Sequence, residues 1–202
     1  MIKRILLLTV SVVLLSGCIT STIYDLGNLN IGSTFPVKIE DKRNNILQSS
    51  KQEKALLIIG DKHILPSPLE VISKKLNIYL KPTAAKQISN ISLNHFELLI
   101  YWPNMAAVGS GAAMAGVSYS LGIISEELNR PNSYTQDGVI SRISLSINDT
   151  EFKCDVYIPA AEEIRALVGM QMTSKKMPKP LDDVIGRCIQ NIVNQTYYDR
   201  YR

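Results

Sequence analysis

Three thiols carry most of the chemistry this chain could do. Cys18 follows two small residues, Ser16 and Gly17, at the end of a basic pair (Lys3 and Arg4) and an apolar stretch over 5–15. A secretory leader ends in a small-residue cleavage site of this kind, so export is expected and the other two cysteines, Cys154 and Cys188, would meet an oxidising compartment. There they either form a disulfide or remain two buried thiols that pack as small hydrophobes. The remaining chemistry is sparse. His63 follows a short strand and His95 lies within one beside Phe96, where a structural role is the ordinary one. No Cys or His spacing suits a metal and no His-Glu-x-x-His occurs. Gly109-Ser110-Gly111 and Gly116-Val117-Ser118 both miss the Gly-x-Ser-x-Gly elbow. Gly60-Asp61-Lys62 lacks the glycines of a phosphate loop. Asp182 and Asp183 are adjacent on a helix, so they do not face each other, and in a first turn they serve the helix dipole. A non-enzymatic protein with no cofactor and no metal is expected.

The elements that must position these groups form one domain. Lys3 and Arg4 are two of 22 basic residues, so the chain without 1–17 carries 20 basic against 18 acidic residues, or +2. That balance makes no case for nucleic acid. Residues 18–33 lack a period and read as a tether, followed by a single α+β domain over 34–202. Phe35, Val37 and Ile39 alternate on one face of a strand over 34–40, and Ala55–Gly60 is a second, short apolar strand. Ser67-Pro68-Leu69-Glu70 combines an N-cap, a first-position proline and a capping-box glutamate. Leu69, Ile72, Leu76 and Leu80 then give the buried stripe of a helix that Pro82 stops. Residues 91–102 read as a long strand.

Residues 139–158 read as a hairpin around a four-residue loop, 148–151. Ile147 then opposes Phe152, Leu145 opposes Cys154 and Ile143 opposes Val156, all on one buried face. Helices follow over 160–172 and from Leu181 to about Tyr198, separated by a basic, proline-containing linker over 173–180. In the last helix Val184, Ile185, Cys188, Ile192 and Val193 face inward. The order predicts a mostly antiparallel sheet with helices packed on one face.

Residues 105–125 contain no charge, and as a helix they would reach about 32 Å, near the thickness of a hydrocarbon core. Ala107, Gly111 and Ala115 lie four apart, as do Ala112, Gly116 and Ser120, a spacing that lets membrane helices approach closely. The run is either a membrane-inserting or oligomer-forming segment, or a buried helix, a surface-lying helix or a loop.

Leu15-Ser16-Gly17-Cys18 resembles the lipobox of bacterial lipoproteins. That resemblance implies that the Cys18 thiol is acylated and its amine becomes the mature N-terminus. Two or three acyl chains, at about 0.8 kcal/mol per buried methylene, hold durably to a bilayer. Asn-x-Ser/Thr matches at Asn90, Asn148 and Asn194 are then coincidental. Ile19, in place of the aspartate that retains enterobacterial lipoproteins in the inner membrane, implies the outer membrane, facing the periplasm. Val37-Lys-Ile-Glu-Asp41-Lys-Arg43, with the elements that follow, resembles the YajG-type lipoproteins, which implies an envelope lipoprotein of undefined activity. The apolar segment between sheet strands is similar in place to that of TraT-type outer-membrane lipoproteins, which implies a ring-forming assembly. The expected function is a binding and scaffold role in the cell envelope, with envelope proteins or further copies of the chain as partners. The alternative is a homo-oligomer packed through 105–125.

Overall fold

The best-punctuated stretch of the sequence does start a helix. In the computed structural model, which describes residues 22–26, 38–53, 56–102, 136–168 and 177–199, Ser67 Oγ accepts the Glu70 N–H at 3.4 Å and Pro68 takes the first helical position. In chain order the elements are β1 (Tyr24–Asp25), β2 (Ile39–Asp41), β3 (Lys51–Glu53), β4 (Leu56–Ile58), a 3-10 turn (Asp61–His63) and β5 (Ile64–Leu65). Then come α1 (Pro68–Tyr79), α2 (Pro82–Ala85), β6 (Ile91–Tyr101), β7 (Gly138–Ile147), β8 (Thr150–Pro159), α3 (Ala161–Val168) and α4 (Pro178–Asp199). The protein is α+β. Pro82 both ends α1 and opens α2, since a proline tolerates a first turn and no other. Val71 joins Ile72, Leu76 and Leu80 among the buried residues, Leu69 packs against the core partly buried, and Lys75 is buried with them.

Strand β6 organises the sheet. It pairs antiparallel with β7 from Ile91↔Ile147 to Tyr101↔Gly138. Its other edge is shared between β2, parallel at Ile91–Leu93, and β4, antiparallel at Leu99–Tyr101. β3 pairs with β4 and β8 with β7. A bulge at Asn94 breaks the alternation of β6, so that Leu93 and Phe96, three apart, both meet the core. The Asn94 side chain accepts from Ser92 Oγ at 3.2 Å and donates to Ser146 Oγ at 2.7 Å, which occupies it on the outer side.

The hairpin is tighter than the sequence suggested. Asn148 and Asp149 alone form the turn, with φ of 49° and 66°. Two left-handed residues are what a two-residue hairpin turn demands. The register is therefore Ile147↔Thr150, Leu145↔Phe152, Ile143↔Cys154 and Ser141↔Val156, two residues away from the expected one. A shift of two leaves every side chain on its face, so burial could not distinguish the registers. Asn148 also ties the turn to the start of β6. Its Oδ1 accepts Ser89 N–H and Oγ–H at 2.9 and 3.0 Å, and its Nδ2 donates to the Gln87 carbonyl at 2.9 Å. Asn148→Ala is expected to cost about 1–3 kcal/mol in urea unfolding, with Asn148→Gly recovering only the backbone part.

Helices α1 and α4 cover one face of the sheet, α4 lying over β7 and β8. Leu181, Val184, Ile185, Cys188, Ile189, Ile192 and Val193 of α4 are buried against Val139, Ile143, Leu145 and their neighbours. The helix begins at Pro178, three residues earlier than expected, because Pro178 and Pro180 fit a first turn. Asp182 and Asp183 consequently sit past the first turn and do not serve the dipole. The reading of 18–33 as a featureless tether also changes. Tyr24 and Leu26 are 2% and 0% exposed, β1 pairs parallel with β5, and residues 22–26 belong to the fold. Phe35, Val37, Leu167, Val168 and Met172, expected to be inward, lie outside the residues or side chains described.

Candidate functional site

With α1 and α4 on one side, the outer face of β6, β7 and β8 presents the side chains that alternate away from the core. Glu97, Arg142 and Asp155 form one row across the three strands because the register sets Glu97 opposite Arg142 and Arg142 opposite Asp155. Arg142 Nη1 lies 3.0 Å from Glu97 Oε2, and its Nε lies 3.3 Å from Asp155 Oδ2. Burial opposes the Arg142 charge, but the two carboxylates outweigh it and hold the guanidinium above its usual range. Beside this row Ser144 Oγ donates to Glu151 Oε1 at 2.7 Å, and Lys153 Nζ lies 3.1 Å from Glu151 Oε2. The Ser144 hydroxyl, then Lys153, hold the Glu151 carboxyl below the ordinary carboxylate range. Toward the other end of the same strands the face turns apolar, with Leu56, Leu99 and Ile140 buried among Ile58, Tyr101 and Tyr157. The charged row, with side chains 23–34% exposed, can recognise a partner.

Two further polar groupings sit near the sheet edge. Arg43 is clamped between Asp41 and Asp61, with Nη2 at 2.8 and 2.7 Å from their Oδ2 atoms and Nε at 2.9 Å from Asp41 Oδ1. The Arg43 hydrogen bonds keep the Asp41 carboxyl below its ordinary range. This clamp ties the end of β2 to the 3-10 turn. Ser50 Oγ accepts the Gly60 N–H at 3.1 Å and lies 2.7 Å from His63 Nδ1. The Ser50–His63 contact spans 13 residues with no sequence motif. It fastens the loop after β2 to the same turn. His95 is exposed on the outer face, opposite Ser144. Among the described residues no three His, Cys, Asp or Glu side chains group to hold a metal.

Of the residues singled out from the sequence, the structure joins Cys154 on β8 to Cys188 on α4 in a disulfide, with Cα atoms 5.6 Å apart. Cys18 and the small residues Ala107, Gly111, Ala115, Ala112, Gly116 and Ser120 lie outside the described residues. No helix among the described residues is long and apolar enough to cross a membrane. The buried pair Lys75–Asp182, between helices 107 residues apart, carried no sequence signal. No known protein family, curated protein or solved structure matches the chain.

Proposed function

We propose that this protein is a YajG-like bacterial envelope lipoprotein, anchored through Cys18 and facing the periplasm from the outer membrane, whose domain acts as a non-enzymatic binding and scaffold module. The Cys154–Cys188 disulfide is the observation that carries this reading, because such bonds form and persist in oxidising compartments and are rare in the cytosol. It agrees with an exported leader ending at Cys18. The half-buried charged row of Glu97, Arg142 and Asp155 on the outer face of β6–β8 is the surface on which envelope partners would dock.

Membrane fractionation of the wild type beside Cys18→Ser tests the anchor. The serine variant should leave the membrane fraction, and equal processing and retention of both would overturn the reading. Deleting 105–125 tests the role. Tyr101 and Gly138 are paired neighbours, so the shortened connection still has adjacent ends to join. A scaffold keeps its fold and its crosslinked partners in intact cells. A ring former packed through this segment falls to monomer.

A further inference from the structure

The chain leaves its anchor and enters the fold almost at once. Leu26 N–H donates to the Leu65 carbonyl at 2.5 Å, and Tyr24 stands opposite Ile64 in the β1–β5 pair. The alternation that buries Tyr24, Leu26 and Ile64 turns Ile23 and Leu65 outward, where they are 57% and 49% exposed. The 3-10 turn leading into β5 is in turn bonded to the loop after β2. Asp61 and Lys62 N–H donate to the Leu47 and Gln48 carbonyls at 2.8 and 3.1 Å. Gly60 permits that approach, since a Cβ there would lie 2.7 Å from the Gln48 oxygen. On this loop Ile46 and Leu47 are also exposed. Four of the five exposed large hydrophobics among the described residues thus lie just before β1, in β5 and on the loop fastened beside them, and the fifth, Ile78, is on α1.

Chain length says what covers them. Cys18 precedes Ile23 by five residues, so fully extended chain separates them by at most about 18 Å. Part of that is spent crossing a headgroup layer about 6 Å thick. The β1 end of the domain is therefore held within about 12 Å of the headgroups, in reach of the bilayer surface. We propose that Ile23, Ile46, Leu47 and Leu65 form a membrane-docking surface, resting in the interfacial layer of the phospholipid bilayer that holds Cys18. This rests on the lipid-anchor reading above. Docking there fixes which way the domain faces, because a single flexible tether would leave it free to turn. Asp25 and Lys62 bring charges of both signs to the patch, so apolar burial drives the contact and anionic lipid is not required.

The test uses full-length, membrane-extracted protein reconstituted into phosphatidylethanolamine vesicles with and without brominated phosphatidylcholine. Tryptophan is introduced as Leu65→Trp, as Ile23→Trp for a second reporter, and as Ile78→Trp for reference. The native Trp102 is buried and supplies a common background. Bromolipid should quench the added emission at 65 and 23 several-fold more than at 78. Equal quenching at all three positions, in protein that floats with the vesicles, overturns the docking surface and leaves the anchor intact. Protein with an unmodified Cys18 that does not float overturns the anchor and the docking surface together.

Discussion

Lys75→Met is expected to destabilise the protein by about 3–5 kcal/mol, because it strands the Asp182 carboxylate in the interior. Lys75 Nζ lies 2.5 Å from Asp182 Oδ2, and the two side chains are 8% and 11% exposed. Asp182 Oδ1 is buried with no hydrogen-bond partner, so the lysine is the carboxylate's main compensation. The surroundings leave little room to relax. A Cβ on Gly186 would lie 3.0 Å from Tyr79 Oη and 3.6 Å from Lys75 Nζ, so α1 and α4 approach closely at this point. Burial, then the charges of Asp182 and Asp183, raise the Tyr79 phenol above its ordinary range, and a phenol has no positive charge with which to replace the lost cation. The double variant Lys75→Met/Asp182→Leu should recover most of the loss, since a well-packed apolar pair often equals a buried ion pair. Urea midpoints of the two variants decide the matter. A single variant within about 1 kcal/mol of wild type would mean that water reaches the pair.

The second large effect concerns the covalent tie. Cys154 and Cys188 are 34 residues apart, and closing a loop of that size is worth about 3–4 kcal/mol in the chain-entropy model, with many bridges delivering less. Cys154→Ala/Cys188→Ala should therefore unfold at clearly lower urea than the oxidised wild type. The bond joins α4 to β8, which pairs only with β7 among the described strands, so β8 should gain most protection from it in hydrogen exchange. Thiol labelling of denatured protein from the cell envelope gives an independent check. Two reactive thiols would show that the bridge does not form in place. Asp182 and Cys188 lie about 9 Å apart along α4, so the two losses should add to a first approximation.

Both effects involve residues whose placement the sequence makes only partly legible. The face of each residue in the hairpin and in α4 was legible because alternation and the helical period report burial directly. Cys154 and Cys188 could thus be placed on facing surfaces. The register was not legible, because Asn148-Asp149 and the longer loop bury the same side chains. Asn94 hides its bulge in an otherwise regular strand, and only the three-residue spacing of Leu93 and Phe96 hints at it. The strand Lys51–Glu53 is wholly polar because it lies at a sheet edge, where no apolar pattern is required. Tyr24 and Leu26 do alternate, but two residues are too few to register as a strand. The ion pairs were least visible. The helical period puts Lys75 beside the Ile72–Leu76 stripe and half-buried Lys74 off it, but a partner 107 residues away leaves no local mark.

The pairing of Tyr101 with Gly138 also shapes how such a molecule can evolve. Whatever lies between these residues begins and ends at adjacent positions of a finished sheet. Doubling or halving a flexible connection changes its closure cost by only about 0.6 kcal/mol. On closure entropy alone, a change in the length of that stretch therefore costs the domain little. Two fixed, adjacent ends are thus a place where insertions, like cassettes, can lengthen the chain without reopening the sheet.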